Sequence, residues 1–181
     1  MTPAVKKSIF DFVSANLPSQ FANKVYWRNE RKKEPKMPFC LLSAIIPEQD
    51  TNFYTETETI VDDLTKDNVS TLKTYKECVI TISIFVDGTT DGSDLDVQNE
   101  FASDTARNLS NLFKFMDTAW SFNVDGISVN EISSIRDLTT VADGGYNFRY
   151  EFDIAFGYNE DVAIQKPKGK NVNLQIERKD I

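Results

Sequence analysis

Tyr146 to Tyr158 read Y-N-F-R-Y-E-F-D-I-A-F-G-Y, and this stretch decides the fold. Tyr146, Phe148, Tyr150, Phe152, Ile154, Phe156 and Tyr158 alternate with Asn147, Arg149, Glu151, Asp153, Ala155 and Gly157. Alternation this long is the signature of an antiparallel strand with one face on a core and the other turned outward. The outward face carries Arg149, Glu151 and Asp153, charges that read as interstrand or intersubunit ion pairs rather than an acid–base pair.

The same period recurs upstream. Cys78, Ile80, Ile82, Ile84 and Val86 point one way, Val79, Thr81, Ser83 and Phe85 the other, and Asp87-Gly88 closes that strand. Phe39 to Ile46 is apolar on both faces and reads as an interior strand ending at Pro47. Val25-Tyr26-Trp27 is a short strand, and Arg28 to Lys36 an exposed basic loop. Ile127 and Val129, then Ile132 and Ile135, suggest a bent strand, and Asp143-Gly144-Gly145 a turn. Val172, Leu174 and Ile176 suggest a last strand at a sheet edge. From 50 to 76 the chain is polar, with Thr55, Thr57 and Thr59 alternating with Glu56 and Glu58; this reads as a protruding β-hairpin or arm, which buries little in its own subunit.

Two helices complete the pattern. Thr2 and Pro3 suit the cap and first position of a helix whose stripe is Val5, Ile9, Phe12, Val13 and Leu17, with Pro18 beyond its end. Ser93 with Asp96 resembles a capping box opening a longer helix, whose stripe is Leu95, Ala102, Ala106, Leu109, Phe113 and Met116, widened by Phe101 and Leu112. The expected fold class is therefore α+β: a mostly antiparallel sheet with an N-terminal helix and one long amphipathic helix on one face. A chain of 181 residues fits one domain over 1–181, with a C-terminal strand or tail over 159–181.

Composition excludes several chemistries. There is no histidine, so Ser-His, Cys-His and His-metal arrangements are absent. Cys40 and Cys78 lie in apolar runs and read as buried free thiols. No phosphate-binding glycine motif or nucleophile elbow occurs. The loop from Asp87 matches a calcium loop only in part, since Thr89 and Gln98 stand where ligands belong; a turn and helix cap explain it, and no metal or cofactor is expected. A net charge of −8 argues against gripping nucleic acid phosphates but allows a passage through which DNA slides. No apolar run reaches membrane-spanning length, and Met1 to Val13 does not read as a secretion signal. Basic residues cluster from Lys24 to Lys36, including Lys32 and Lys33, and acidic ones from Glu48 to Asp63, including Glu56 and Glu58; such patches can meet on neighbouring subunits of a head-to-tail ring.

The order of motifs adds a resemblance. It runs from the N-terminal helix through V-Y-W, P-F-C-L-L-S-A-I-I, K-E-C-V-I-T-I-S-I-F-V-D-G and a long helix to I-S-S-I-R-D-L-T-T and the aromatic strand. This resembles the neck or tail terminator proteins of tailed bacteriophages, over about Val5 to Ile176. Pro38-Phe39, the run Ile135-Arg136-Asp137-Leu138, and Arg149 with Asp153 carry it most clearly. The resemblance implies a structural virion protein of the tail or neck, assembled in the host cytoplasm, and not an enzyme. It implies a homo-oligomeric ring, usually a hexamer, that caps the head-proximal end of the tail tube and stops its polymerisation. The ring would join the tail tube protein to the head-completion connector while DNA passes through the lumen. Arg136, Arg149, Glu151, Asp153, Glu56, Glu58, Lys32 and Lys33 are the candidate subunit-interface residues. The alternatives are another tail component, a tube or baseplate-adaptor subunit, or a small-ligand-binding regulatory α+β domain.

Overall fold

The computed structural model describes residues 1–30, 35–52, 58–61, 68–88, 94–115, 126–142 and 145–165. Two helices, α1 (Pro3–Asn16) and α2 (Leu95–Lys114), accompany eight strands: β1 (Val25–Trp27), β2 (Phe39–Asn52), β3 (Glu58–Val61), β4 (Asn68–Gly88), β5 (Ile127–Ile132), β6 (Arg136–Asp137), β7 (Thr140–Ala142) and β8 (Gly145–Gln165). They form one sheet in the order β1-β2-β4-β8-β5, with β3 on β4 and β6 and β7 on β8. Every pairing is antiparallel except β1 with β2. The fold is α+β, as the periodicities require.

The alternating strands behave as expected. Cys78, Ile80, Ile82, Ile84 and Val86 are buried together with Phe148, Tyr150, Phe152, Ile154, Phe156 and Tyr158. These two rows meet across a continuous register from Val69↔Gln165 to Gly88↔Tyr146. Both helices cover this face: Val5, Ile9 and Val13 of α1 and Ala102, Ala106, Leu109 and Phe113 of α2 join the same core. Thr2 caps α1 by accepting from the Val5 amide at 3.3 Å. Phe113 links three elements, with its ring 4.8 Å from Phe12 of α1 and 5.9 Å from Phe156 of β8. Tyr146 lies at the start of β8 and stays 40% exposed, so the aromatic row is core only from Phe148 onward.

Several boundaries differ from the sequence reading. Pro47 does not end β2, which continues to Asn52 with register shifts on both sides of the proline. Among the described residues only Val25–Trp27 pairs with the other edge of β2, against Cys40–Leu42, and none of them calls for an amide donor from Pro47 on that edge. β8 runs past Tyr158 to Gln165 because β4 supplies partners from Val69 onward. The cap of α2 is Asp94, with no side-chain cap bond, one residue beyond the expected Ser93, which lies outside the described residues. With Asp94 as cap, the third helical residue is Val97, which has no acceptor; Asp96 lies in the first turn, where the helix end favours an acid. Arg28–Glu30 forms a 3-10 turn rather than open loop. The expected bent strand is divided into β5 and β6, with Ser133 between them.

Within the 50–76 stretch β3 pairs with β4 from Glu58↔Thr71 to Val61↔Asn68. At about 3.4 Å per residue the β4–β8 ladder is roughly 65 Å long, against a radius of gyration of about 16 Å expected for a compact chain of this size. The ladder therefore extends beyond the helix-covered core. Glu56, Met116, the Asp143-Gly144 turn, the 89–93 part of the acidic loop and the Val172–Ile176 strand lie outside the described residues, as do Lys32 and Lys33.

Gly157 lies within this ladder. A Cβ there would lie 1.7 Å from the Tyr75 hydroxyl and 2.7 Å from Ser128 Oγ. Tyr75 crosses the glycine from β4 to reach β5, where Asn130 donates to its hydroxyl at 2.9 Å and Ser128 Oγ lies at 3.3 Å. An aromatic laid over a strand glycine in this way pins strand register. Gly157→Ala should displace Tyr75 and cost about 1–3 kcal/mol in urea unfolding. In a Tyr75→Ala background the same substitution should cost little, the coupling that a double-mutant cycle reads.

Candidate functional site

The sheet face away from the helices carries the charged residues. Along β8 the outward row is Arg149, Glu151 and Asp153, and each has a β4 neighbour in register: Phe85, Ser83 and Thr81. β6 adds Arg136 opposite Glu151 on the other side. The break between β5 and β6 positions it. Ser133 donates its amide to the Asp153 carbonyl at 2.9 Å, and its Oγ accepts from the Asp153 amide at 2.8 Å. Leu138 then donates to the Arg149 carbonyl at 2.8 Å, which fixes the two-residue strand between them.

Arg136 grips Asp153 with both terminal nitrogens. Nη1 donates to Oδ2 at 2.7 Å and Nη2 to Oδ1 at 3.0 Å, the paired geometry a guanidinium offers a carboxylate. Its Nη2 also reaches Glu151 Oε1 at 3.3 Å. Thr81 Oγ1 donates to Asp153 Oδ1 at 2.8 Å, and Ser83 Oγ to Glu151 Oε2 at 3.1 Å. Arg149 Nη2 closes the network on Glu151 Oε2 at 2.8 Å. Thr81, Ser83 and Glu151 are buried although neither α1 nor α2 covers this face. The Arg136 hydrogen bonds hold the Asp153 carboxyl below the usual aspartate range, and Asp153 in turn raises the Arg136 guanidinium.

Arg149 also lies over the Phe85 ring at 5.2 Å, and Phe85 stacks on Phe39 at 4.4 Å. Its Nε is buried and has no hydrogen-bond partner among the described residues. Arg149, Arg28, Leu41, Ile45, Phe85 and the hydroxyls of Ser43, Thr81 and Ser83 line a groove of about 660 Å³. Ile45 stands 54% exposed on its rim.

The structure thus brings four of the sequence candidates together: Arg136, Arg149, Glu151 and Asp153 form one balanced intrachain network of two cations and two anions. Glu58 belongs to β3, away from them. Sequence reasoning placed Thr81 and Ser83 on the outward row of their strand without pairing them to the carboxylates, and left Arg28 in a basic loop. The signal for the first two was available, since small hydroxyl residues interrupt an otherwise apolar strand opposite two carboxylates. Among the described residues no three acidic or thiol side chains gather as a metal site, and no helix is long and apolar enough to cross a membrane. Burial pushes the Cys40 thiol far above its ordinary range, which leaves it a packing residue.

Comparison with known proteins agrees with the resemblance in the sequence. The family model described as phage neck terminator protein matches residues 4–178. The chain belongs to that family and is a structural protein of the phage neck. No curated protein matches it.

Proposed function

We propose that this chain is the ring-forming subunit that caps the head-proximal end of the phage tail tube, stops tube growth and presents the docking surface for the head-completion connector. The ring is hexameric, assembles in the host cytoplasm, and conducts DNA through its lumen without binding it. The family match over nearly the entire chain carries this reading. The net charge of −8 supports a lumen that does not hold DNA. The folded unit is one domain over 1–181, and its polar sheet face meets the neighbouring subunit. Arg136, Arg149, Glu151 and Asp153 present there a surface already balanced in charge, so the contact does not strand a buried ion. Glu56, Glu58, Lys32 and Lys33 contribute the outer charges.

The test mixes purified protein with purified tail tubes and images them by electron microscopy. Rings of uniform size at one tube end, with growth arrested, are expected. Self-polymerisation into long filaments would instead identify a tube subunit, and tubes with bare ends that keep growing would remove the capping role.

A further inference from the structure

The groove on the outer sheet face is open at its rim and short of negative charge. Arg28 and Arg149 border it, with Leu41, Ile45 and Phe85 between them. Glu151 also lines it, but Arg136, Arg149 and Ser83 already bond that carboxylate. Arg28 is exposed and makes no ion pair among the described residues, so the groove carries a cation in excess. Ile45, more than half exposed, turns an apolar wall to solvent. The fitting occupant is a surface that sets carboxylates beside an apolar side chain.

The outer side of α2 is such a surface. Asp96, Val97 and Glu100 fall within about 100° of arc on the helix. All three are exposed, Val97 to 63%. Neither carboxylate makes an ion pair among the described residues, whereas Asp104 is held by Arg107. The positive helix end accounts for Asp96 in the first turn. It does not account for Glu100 a turn further on, or for an exposed valine beside it. The same subunit's α2 cannot enter the groove. Ala102, Ala106 and Leu109 of α2 share the core with Ile80, Ile82 and Ile84 of β4, whereas Thr81, Ser83 and Phe85 line the groove from the opposite face of that strand. The sheet stands between the two surfaces. A contact between them therefore joins two copies through different patches. Contacts of that kind close into a ring when the rotation allows, whereas a self-complementary contact stops at a dimer.

We infer that the Arg28/Arg149 groove of one copy receives the Asp96/Val97/Glu100 side of α2 of the next, as the head-to-tail contact of the assembly. This rests on the ring reading above and specifies which surfaces meet. The experiment places Ile45→Cys and Val97→Cys in one full-length chain and treats it with a short bismaleimide, both free at high concentration and on tail tubes. Cys40 and Cys78 are buried and stay unlabelled. A ladder of linked chains on a denaturing gel is expected from the double variant, and single chains from either substitution alone. Dimers from a single substitution would show a self-complementary contact and overturn the inference. Charge reversal gives a second reading. Arg28→Glu should raise the concentration needed for assembly about tenfold while melting normally, and adding Asp96→Lys with Glu100→Lys should recover most of that factor. Reversal without effect, or with no recovery, counts against the contact. Capped tubes that yield no ladder overturn the contact alone. A ladder in free protein beside bare tubes keeps the contact and overturns the capping role, and bare tubes with no ladder overturn both.

Discussion

Phe113→Ala is expected to destabilise the protein by about 3–5 kcal/mol, the range for removing a fully buried aromatic from a core. Phe113 is 1% exposed, and its ring touches both Phe12 and Phe156. The cavity would open where α1, α2 and β8 meet, and no single element can shift to fill it without leaving the other two. At roughly 2–4 °C per kcal/mol for a chain of this size, Tm should fall by about 10 °C. Calorimetry checks the magnitude. A Phe113→Leu variant should recover more than half of the loss, because leucine refills most of the volume.

The second large effect concerns Arg136. Arg136→Met keeps the side-chain length but removes the group that holds Asp153 and supports Glu151. Glu151 retains Arg149 and Ser83, while Asp153 is left with Thr81. The expected loss is about 2–3 kcal/mol at neutral pH, below the figure for a fully buried pair because the guanidinium is partly in water. The pH dependence has a definite sign. Arg136 lowers the folded-state carboxyl of Asp153 below its ordinary 3.8. That group contributes stability above pH 3.8 and loses it as pH falls through the lower folded value. Native protein should therefore hold its Asp153 contribution down to pH 3.8 and lose it below, where Arg136→Met should show a flatter acid limb. Parallel acid limbs in urea titrations would count against the pairing.

Much of this architecture was legible in the chain. The inward rows of β4 and β8 are written as period-two alternation, and Thr2-Pro3 marks the start of α1 as built. What the sequence left open depends on partners rather than patterns. Pro47 reads as a strand end, whereas β2 continues to Asn52 and no described strand pairs with its β1-side edge near the proline. The cap of α2 lies at Asp94, one residue past the expected Ser93, and Val97 three beyond it offers no capping-box partner. Arg149, Glu151 and Asp153 were legible as one charged row. That Arg136 rather than another subunit pairs with Asp153 follows only from the β6–β8 register. Gly157 carried a signal of its own, since a glycine inside so regular a strand marks a close approach, but nothing local names Tyr75 as the group that approaches.

The uninterrupted β4–β8 register has a mechanical meaning. Between Val69↔Gln165 and Gly88↔Tyr146 no bulge breaks the pairing, whereas β2 slips against β4 at three places. Interstrand hydrogen bonds of an antiparallel pair stand across the strand direction. A pull applied lengthwise at the Gln165 end is thus borne in shear by the whole row of bonds at once, not unzipped bond by bond. The two strands form a stiff strut, able to pass tension from the Val69–Gln165 end to the helix-backed core without yielding at a weak joint.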